Sequence, residues 1–136
     1  MRKPTKILVA DDHEGSRALI REVLLQRPDW EVYAEAADGQ EAVELARKSC
    51  PDLAILDIQM PRLNGIQAAQ EILKECPSTI ILSDSLHDVT FFADKLQEIG
   101  VKGFVFKPRL TVDLVPTIET VLNGETRFPP PISQAY

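Results

Sequence analysis

No apolar run in this 136-residue chain approaches the roughly 20 residues needed to cross a bilayer. The opening Met1-Arg2-Lys3-Pro4 is basic, but the apolar stretch behind it is too short and contains too much charge for a signal peptide. Basic excess is missing as well. Fifteen Lys and Arg against 21 Asp and Glu leave a net charge of −6, which argues against direct nucleic-acid binding by this chain. Cysteine is scarce. Cys50 and Cys76 lie far apart, each followed by proline, without metal-ligand spacing, so we expect two free thiols near helix ends in a reducing compartment. The expected location is therefore cytoplasmic, with no membrane contact. No internal repeat and no helix-turn-helix is visible.

What the chain does have is a regular alternation of short apolar runs and amphipathic patterns, at a length that suits one domain. Strands are expected over 6–10, 30–37, 53–57, from Ile80 onward and over 103–106. Helices are expected over 14–26, around Ala42, Val43, Leu45 and Ala46, and over 66–74, 89–99 and 114–122. Gly100 would cap the fourth helix and Pro116 would weaken the first turn of the fifth. Five strand-helix units predict an α/β fold, a doubly wound five-stranded parallel sheet with right-handed crossovers, flavodoxin-like, in the order 2-1-3-4-5. Residues 1–124 would form the domain, and 125–136 an extended tail or the start of a linker to an output domain.

Two of the apolar runs end in carboxylates. Ile7-Leu8-Val9-Ala10 leads into Asp11-Asp12, and Leu53-Ala54-Ile55-Leu56 leads into Asp57. Ligands in open parallel sheets bind at the carboxyl ends of strands, and the 2-1-3-4-5 order makes these two strands neighbours. Three bare anions in one cleft repel one another. They make sense around a hard cation, of which Mg²⁺ is the usual choice for sparse carboxylate ligation beside phosphate.

The chain resembles the receiver domain of bacterial response regulators, the CheY-like family, to which that strand order also belongs. The resemblance rests on Val-Ala-Asp-Asp-His at 9–13, Ala-Asp-Gly at 37–39, Leu-Asp-Ile-Gln-Met-Pro at 56–61 with Asn64-Gly65, and Phe-Lys-Pro at 106–108. Leu-His-Asp at 86–88 and the Pro-Asp-Trp-Glu-Val stretch are most similar to receivers of the LuxR-type DNA-binding subfamily. The resemblance implies that Asp57 accepts a phosphoryl group from a sensor histidine kinase. Asp11, Asp12, Asp57 and the carbonyl of Gln59 would hold Mg²⁺. Lys107 would reach the phosphoryl oxygens, from a cis Lys107-Pro108 bond. Of the two serines in strand four, Ser85 matches the phosphate-binding hydroxyl, because it immediately precedes the hydrophobic-His-Asp triplet; Ser83 would lie inside the strand. Phe104 matches the aromatic switch, and Gln59 and His87 flank the water that limits acyl phosphate lifetime. His13 reads as an ordinary solvated histidine. Asp84 departs from the pattern, which has an apolar residue there.

The function expected is a phospho-accepting switch of a two-component system, not an enzyme acting on a separate substrate. It would control a transcriptional or other output. Its output face would be fourth helix–fifth strand–fifth helix, with homodimerisation through that face or through the first and fifth helices. Two alternatives stand beside it. One is a Mg²⁺-dependent aspartyl-phosphate phosphohydrolase, disfavoured by Gln59 standing where a second acid would be needed. The other is a pseudo-receiver interaction module.

Overall fold

The computed structural model of the chain describes residues 3–87 and 93–129. Its elements in chain order are β1 (Thr5–Ala10), α1 (Glu14–Leu24), β2 (Trp30–Ala36), α2 (Gly39–Lys48), β3 (Leu53–Asp57), α3 (Gly65–Glu75), β4 (Ile80–Ser85), α4 (Ala93–Ile99), β5 (Val101–Phe106) and α5 (Leu110–Leu122). The strands pair in parallel in the order β2-β1-β3-β4-β5, as expected. The expected start of the fourth helix at Val89 lies outside the described residues.

The central strands are apolar throughout because both faces of the sheet are covered. Alternation along each strand divides the core in two. Leu8, Ala54, Leu56, Ile81 and Phe104 pack with α2, α3 and α4 through Ala42, Val43, Ala46, Ala68, Ala69, Ile72 and Leu96. Ile7, Val9, Leu53, Ile55, Leu82 and Val105 pack on the other face with Ile20, Val23 and Leu24 of α1 and Leu110, Leu114, Ile118 and Val121 of α5.

Helix starts follow local chemistry. Asp38 accepts from the Glu41 N–H at the head of α2, and Asn64 with Gln67 forms a reciprocal capping box at the head of α3. Two glycines there are dictated by close approach. A Cβ at Gly39 would lie 1.8 Å from the Leu63 carbonyl oxygen, and one at Gly65 would lie 2.2 Å from that of Asp57. The loop between β3 and α3 is thereby pressed onto the backbone of Asp57.

The starts of β5 and α5 differ from expectation. β5 begins at Val101, which pairs with Ile81 directly after Gly100 turns at φ 107°. α5 begins at Leu110, because the 3₁₀ turn Lys107–Arg109 runs straight into it. Pro116 is therefore in the helix interior and not its first turn. It removes the N–H that would serve the carbonyl of Val112, on the solvent side of the helix. Thr117 Oγ1 donates to the next carbonyl, that of Asp113, at 2.7 Å.

The free-thiol expectation is corrected: Cys50 and Cys76 form a disulfide, with their Cα atoms 5.7 Å apart. Topology is the reason. In successive right-handed crossovers α2 and α3 run the same way on one face, so the residues after each helix meet at the same sheet edge. The bridge joins residues 26 apart. Closing a loop of that size contributes about 3–4 kcal/mol in the chain-entropy description. Reduction with dithiothreitol should lower the thermal midpoint by about 10 °C. An unchanged melting curve after verified reduction would contradict this.

Candidate functional site

Period-two alternation carries past the strand ends and aligns one row of side chains across the C-terminal edge of the sheet. Asp11 follows Val9, Asp57 follows Ile55, Asp84 follows Leu82 and Lys107 follows Val105, all on the face packed by α1 and α5. Asp57 and Asp84 are direct partners across the β3–β4 ladder.

Lys107 ties the row together. Its Nζ donates to Asp11 Oδ2 at 2.6 Å and to Asp57 Oδ2 at 3.1 Å, with the lysine side chain only 7% exposed. The other oxygen of each aspartate is held by the backbone two residues on. His13 N donates to Asp11 Oδ1 at 2.9 Å and Gln59 N donates to Asp57 Oδ1 at 3.1 Å. Both carboxylates are thus fixed by one backbone amide and one shared ammonium. The Lys107-Pro108 bond is trans, since no cis peptide bond occurs among the described residues, which corrects the cis expectation. Pro108 lies within the first positions of the 3₁₀ turn, and Lys107 reaches both carboxylates from the trans backbone.

Burial pushes the Asp57 carboxyl above its ordinary range; the Gln59 amide and Lys107 oppose the rise and nearby Asp11 adds to it. For Lys107, burial is the largest single influence and acts downward. The hydrogen bond to Asp11, the charge of Asp84 and the contact with Asp57 together outweigh it, so the ammonium is held above its ordinary value.

Ligand atoms of Asp11, Asp12, His13 and Asp57 all lie within 4.8 Å of one another. This donor set, rich in carboxylate oxygen, fits a hard divalent cation. His13 was read from sequence as merely solvated. Its ring is mostly exposed, but Nδ1 lies 3.1 Å from Asp12 Oδ1 and borders the cluster. Its place directly after Asp11-Asp12 was the available signal.

Ser85 is buried at the last position of β4, and its Oγ accepts from His87 N at 3.1 Å. Ser83 lies inside the strand, paired with Phe104, and its Oγ has no hydrogen-bond partner among the described residues. Phe104 is already fully buried. Gln59 and His87 are exposed at the rim.

Asp84 is the member of the row that sequence reasoning left without a place. It is 1% exposed, and neither carboxylate oxygen has a hydrogen-bond partner among the described residues. Burial drives its pKa up to about 8, only partly opposed by Lys107 and reinforced by Asp57 and Asp11. It is therefore mostly neutral at pH 7. Below about pH 4 the group is protonated whether the chain is folded or not. As pH rises toward 8 only the unfolded chain gives up the proton, so stability falls, levelling above 8. Asp84→Leu should remove this loss. Its stability relative to the parent should grow between pH 4 and 8 by several kcal/mol, at about 1.4 kcal/mol per unit of pKa elevation. Urea unfolding at pH 4, 6 and 8 without divalent cations checks this; a difference constant with pH would contradict it.

The family model described as "Response regulator receiver domain" matches residues 7–119, most of the chain, and the chain belongs to this family. It is a receiver domain of the two-component response regulator type. The transcriptional regulatory protein DegU of Brevibacillus brevis is 30% identical over 128 residues, covering 94% of this chain and 54% of that protein. PdtaR of Mycobacterium tuberculosis, also a transcriptional regulatory protein, is 36% identical over 122 residues, covering 88% of this chain and 58% of the relative. The chain thus spans little more than half the length of these relatives. A crystal structure of a LuxR-family two-component response regulator from Aurantimonas sp. SI85-9A1 superposes with a TM-score of 0.88 at 35% identity, covering 97% of this chain and 94% of that one.

Proposed function

We propose that Asp57 is the phosphoacceptor of this receiver, that a sensor histidine kinase is its donor, and that phosphorylation switches an output face. The observation that supports this most directly is the double anchoring of Asp57: one oxygen on a backbone amide, the other on an ammonium shared with Asp11. A carboxylate is a weak nucleophile, so positioning and charge neutralisation must supply most of the rate. An Asp57 oxygen attacks phosphorus, the P–N bond of the phosphohistidine breaks, and its electron pair leaves with the imidazole, which takes up a proton. Lys107 then moves from carboxylate to phosphoryl oxygen as the counter-charge.

Asp11, Asp12 and Asp57, with the Gln59 carbonyl, would hold Mg²⁺. Bound there, the ion would neutralise charge between the acceptor and the incoming phosphoryl oxygens. Ser85 would supply the phosphate-binding hydroxyl and Phe104 the aromatic switch, while Gln59 and His87 would tune acyl phosphate lifetime. The donor's approach would be over the groove of about 680 Å³ beside Asp12 and His13, where Leu19 and Leu86 are exposed.

We take the domain to signal and not to turn over a separate substrate, because Gln59 offers no acid to protonate a leaving group. We assign it to the cytoplasm on the strength of its family, with DNA contact left to another domain. No described helix is long and apolar enough to cross a membrane.

Incubation with acetyl phosphate and Mg²⁺ should add one phosphoryl group by intact mass. Asp57→Asn should abolish the gain, and Asp12→Ala should weaken Mg²⁺ binding measured by calorimetry. Full labelling of the Asn variant would refute the acceptor assignment.

The two serines separate in a further test. Ser85→Ala should retain phosphorylation but lose the amide NMR shifts that phosphorylation produces around Phe104 and α4. Ser83→Ala should be functionally silent and within about 1 kcal/mol of the parent in stability, since it removes a buried hydroxyl without a partner among the described residues. The reverse pattern would exchange their roles.

A further inference from the structure

After α5, Gly124 turns the chain back at φ 90°, and residues 125–129 run along the outer edge of β5. Arg127 pairs in parallel with Gly103: its N–H donates to the Lys102 carbonyl at 2.9 Å, and its carbonyl accepts from Phe104 N at 3.1 Å. The side chain of Arg127 grips α5 at the same point. Nη1 donates to Thr117 Oγ1 at 2.7 Å and to the Asp113 carbonyl at 3.1 Å, and Nη2 lies 3.8 Å from Asp113 Oδ1. Phe128 then packs against the core cluster that contains Phe104. One arginine therefore fastens the segment to both β5 and α5, over the β5 edge.

Both fastenings lead back to Lys107. It lies three residues after Phe104 on β5, and its 3₁₀ turn continues into α5, which carries Asp113 and Thr117. A shift of Lys107 from the Asp11 and Asp57 carboxylates onto a phosphoryl group moves the end of one anchor and the beginning of the other. Between segment and helix lies a cavity of about 350 Å³, lined by Phe104, Arg109, Asp113, Thr117, Arg127 and Phe128.

We propose that residues 125–129 form a latch over the β5 edge, closed by Arg127, that opens when Asp57 carries a phosphoryl group. The inference rests on Asp57 as acceptor. It adds the element that is released and the residue that closes it. Its opening frees the β5 edge.

The test uses the full chain, Mg²⁺ and beryllofluoride, with ¹⁹F NMR reporting occupancy at Asp57 and amide exchange reporting the latch. In the parent, beryllofluoride should speed exchange at the Arg127 and Phe104 amides about tenfold or more, with Ile55 in β3 unchanged. Linkage requires the reciprocal effect: Arg127→Ala should open the latch without the mimic and raise beryllofluoride affinity several-fold. Phe128→Ser should act in the same direction, which guards against a folding defect in either variant. Bound beryllofluoride with unchanged Arg127 and Phe104 exchange overturns the latch while leaving the acceptor reading intact. Variants that loosen the segment but leave affinity unchanged also overturn it, reducing Arg127 to a structural tie. Absence of beryllofluoride binding in the parent, with labelling by acetyl phosphate also absent, overturns both.

Discussion

A single ammonium between two buried carboxylates is the constraint on which the site depends. Asp11 and Asp57 end neighbouring strands and are almost wholly buried, where two like charges repel. Lys107, arriving from β5, bonds to both and supplies the opposite charge. It thereby makes a pair of buried anions tolerable in the resting state. On the function proposed above, a phosphoryl group or a divalent cation entering the cleft would compete for these same contacts. The interaction that holds the resting arrangement would then be the one that ligand entry rearranges, which is the physical condition for a switch.

Asp84 shows how finely the row is balanced. It lies on the same face, opposite Asp57, with no hydrogen-bond partner among the described residues. Lys107 feels its charge, yet burial keeps it mostly protonated near neutrality. A third full negative charge in the row would need another cation, so the structure keeps this carboxyl neutral at a cost in stability. A buried polar group without a partner costs free energy that an apolar residue would not.

The two ends of the sheet are specialised differently. The C-terminal edge carries the charged row, held by loops that press Gly65 onto the Asp57 backbone. The opposite edge carries the Cys50–Cys76 bridge, which ties the ends of α2 and α3. The residues after α5 are fastened to β5 and α5 by one arginine. The carboxylate cleft and the segment over the β5 edge meet in the short path from Phe104 through Lys107 to Thr117.

Much of this was legible in the amino-acid order because it depends on local periodicity. Apolar runs ending in Asp11, Asp12 and Asp57 defined the strands and the edge at which the acids gather. The spacing before His87 put Ser85, not Ser83, at the strand end. What depended on residues distant in sequence was decided only by the tertiary structure. Cys50 and Cys76 looked like separate thiols until parallel crossovers brought two helix ends together. Asp84 looked like an anomaly of strand four until register set it beside Asp57. The start of α5 moved because the 3₁₀ turn Lys107–Arg109 continued into it. Arg127 carried no local signal, since its partners Gly103, Asp113 and Thr117 become neighbours only when β5 and α5 pack. Local patterning sets what each segment becomes, whereas the pairing of distant charges, thiols and strand edges is set by how the crossovers bring segments together.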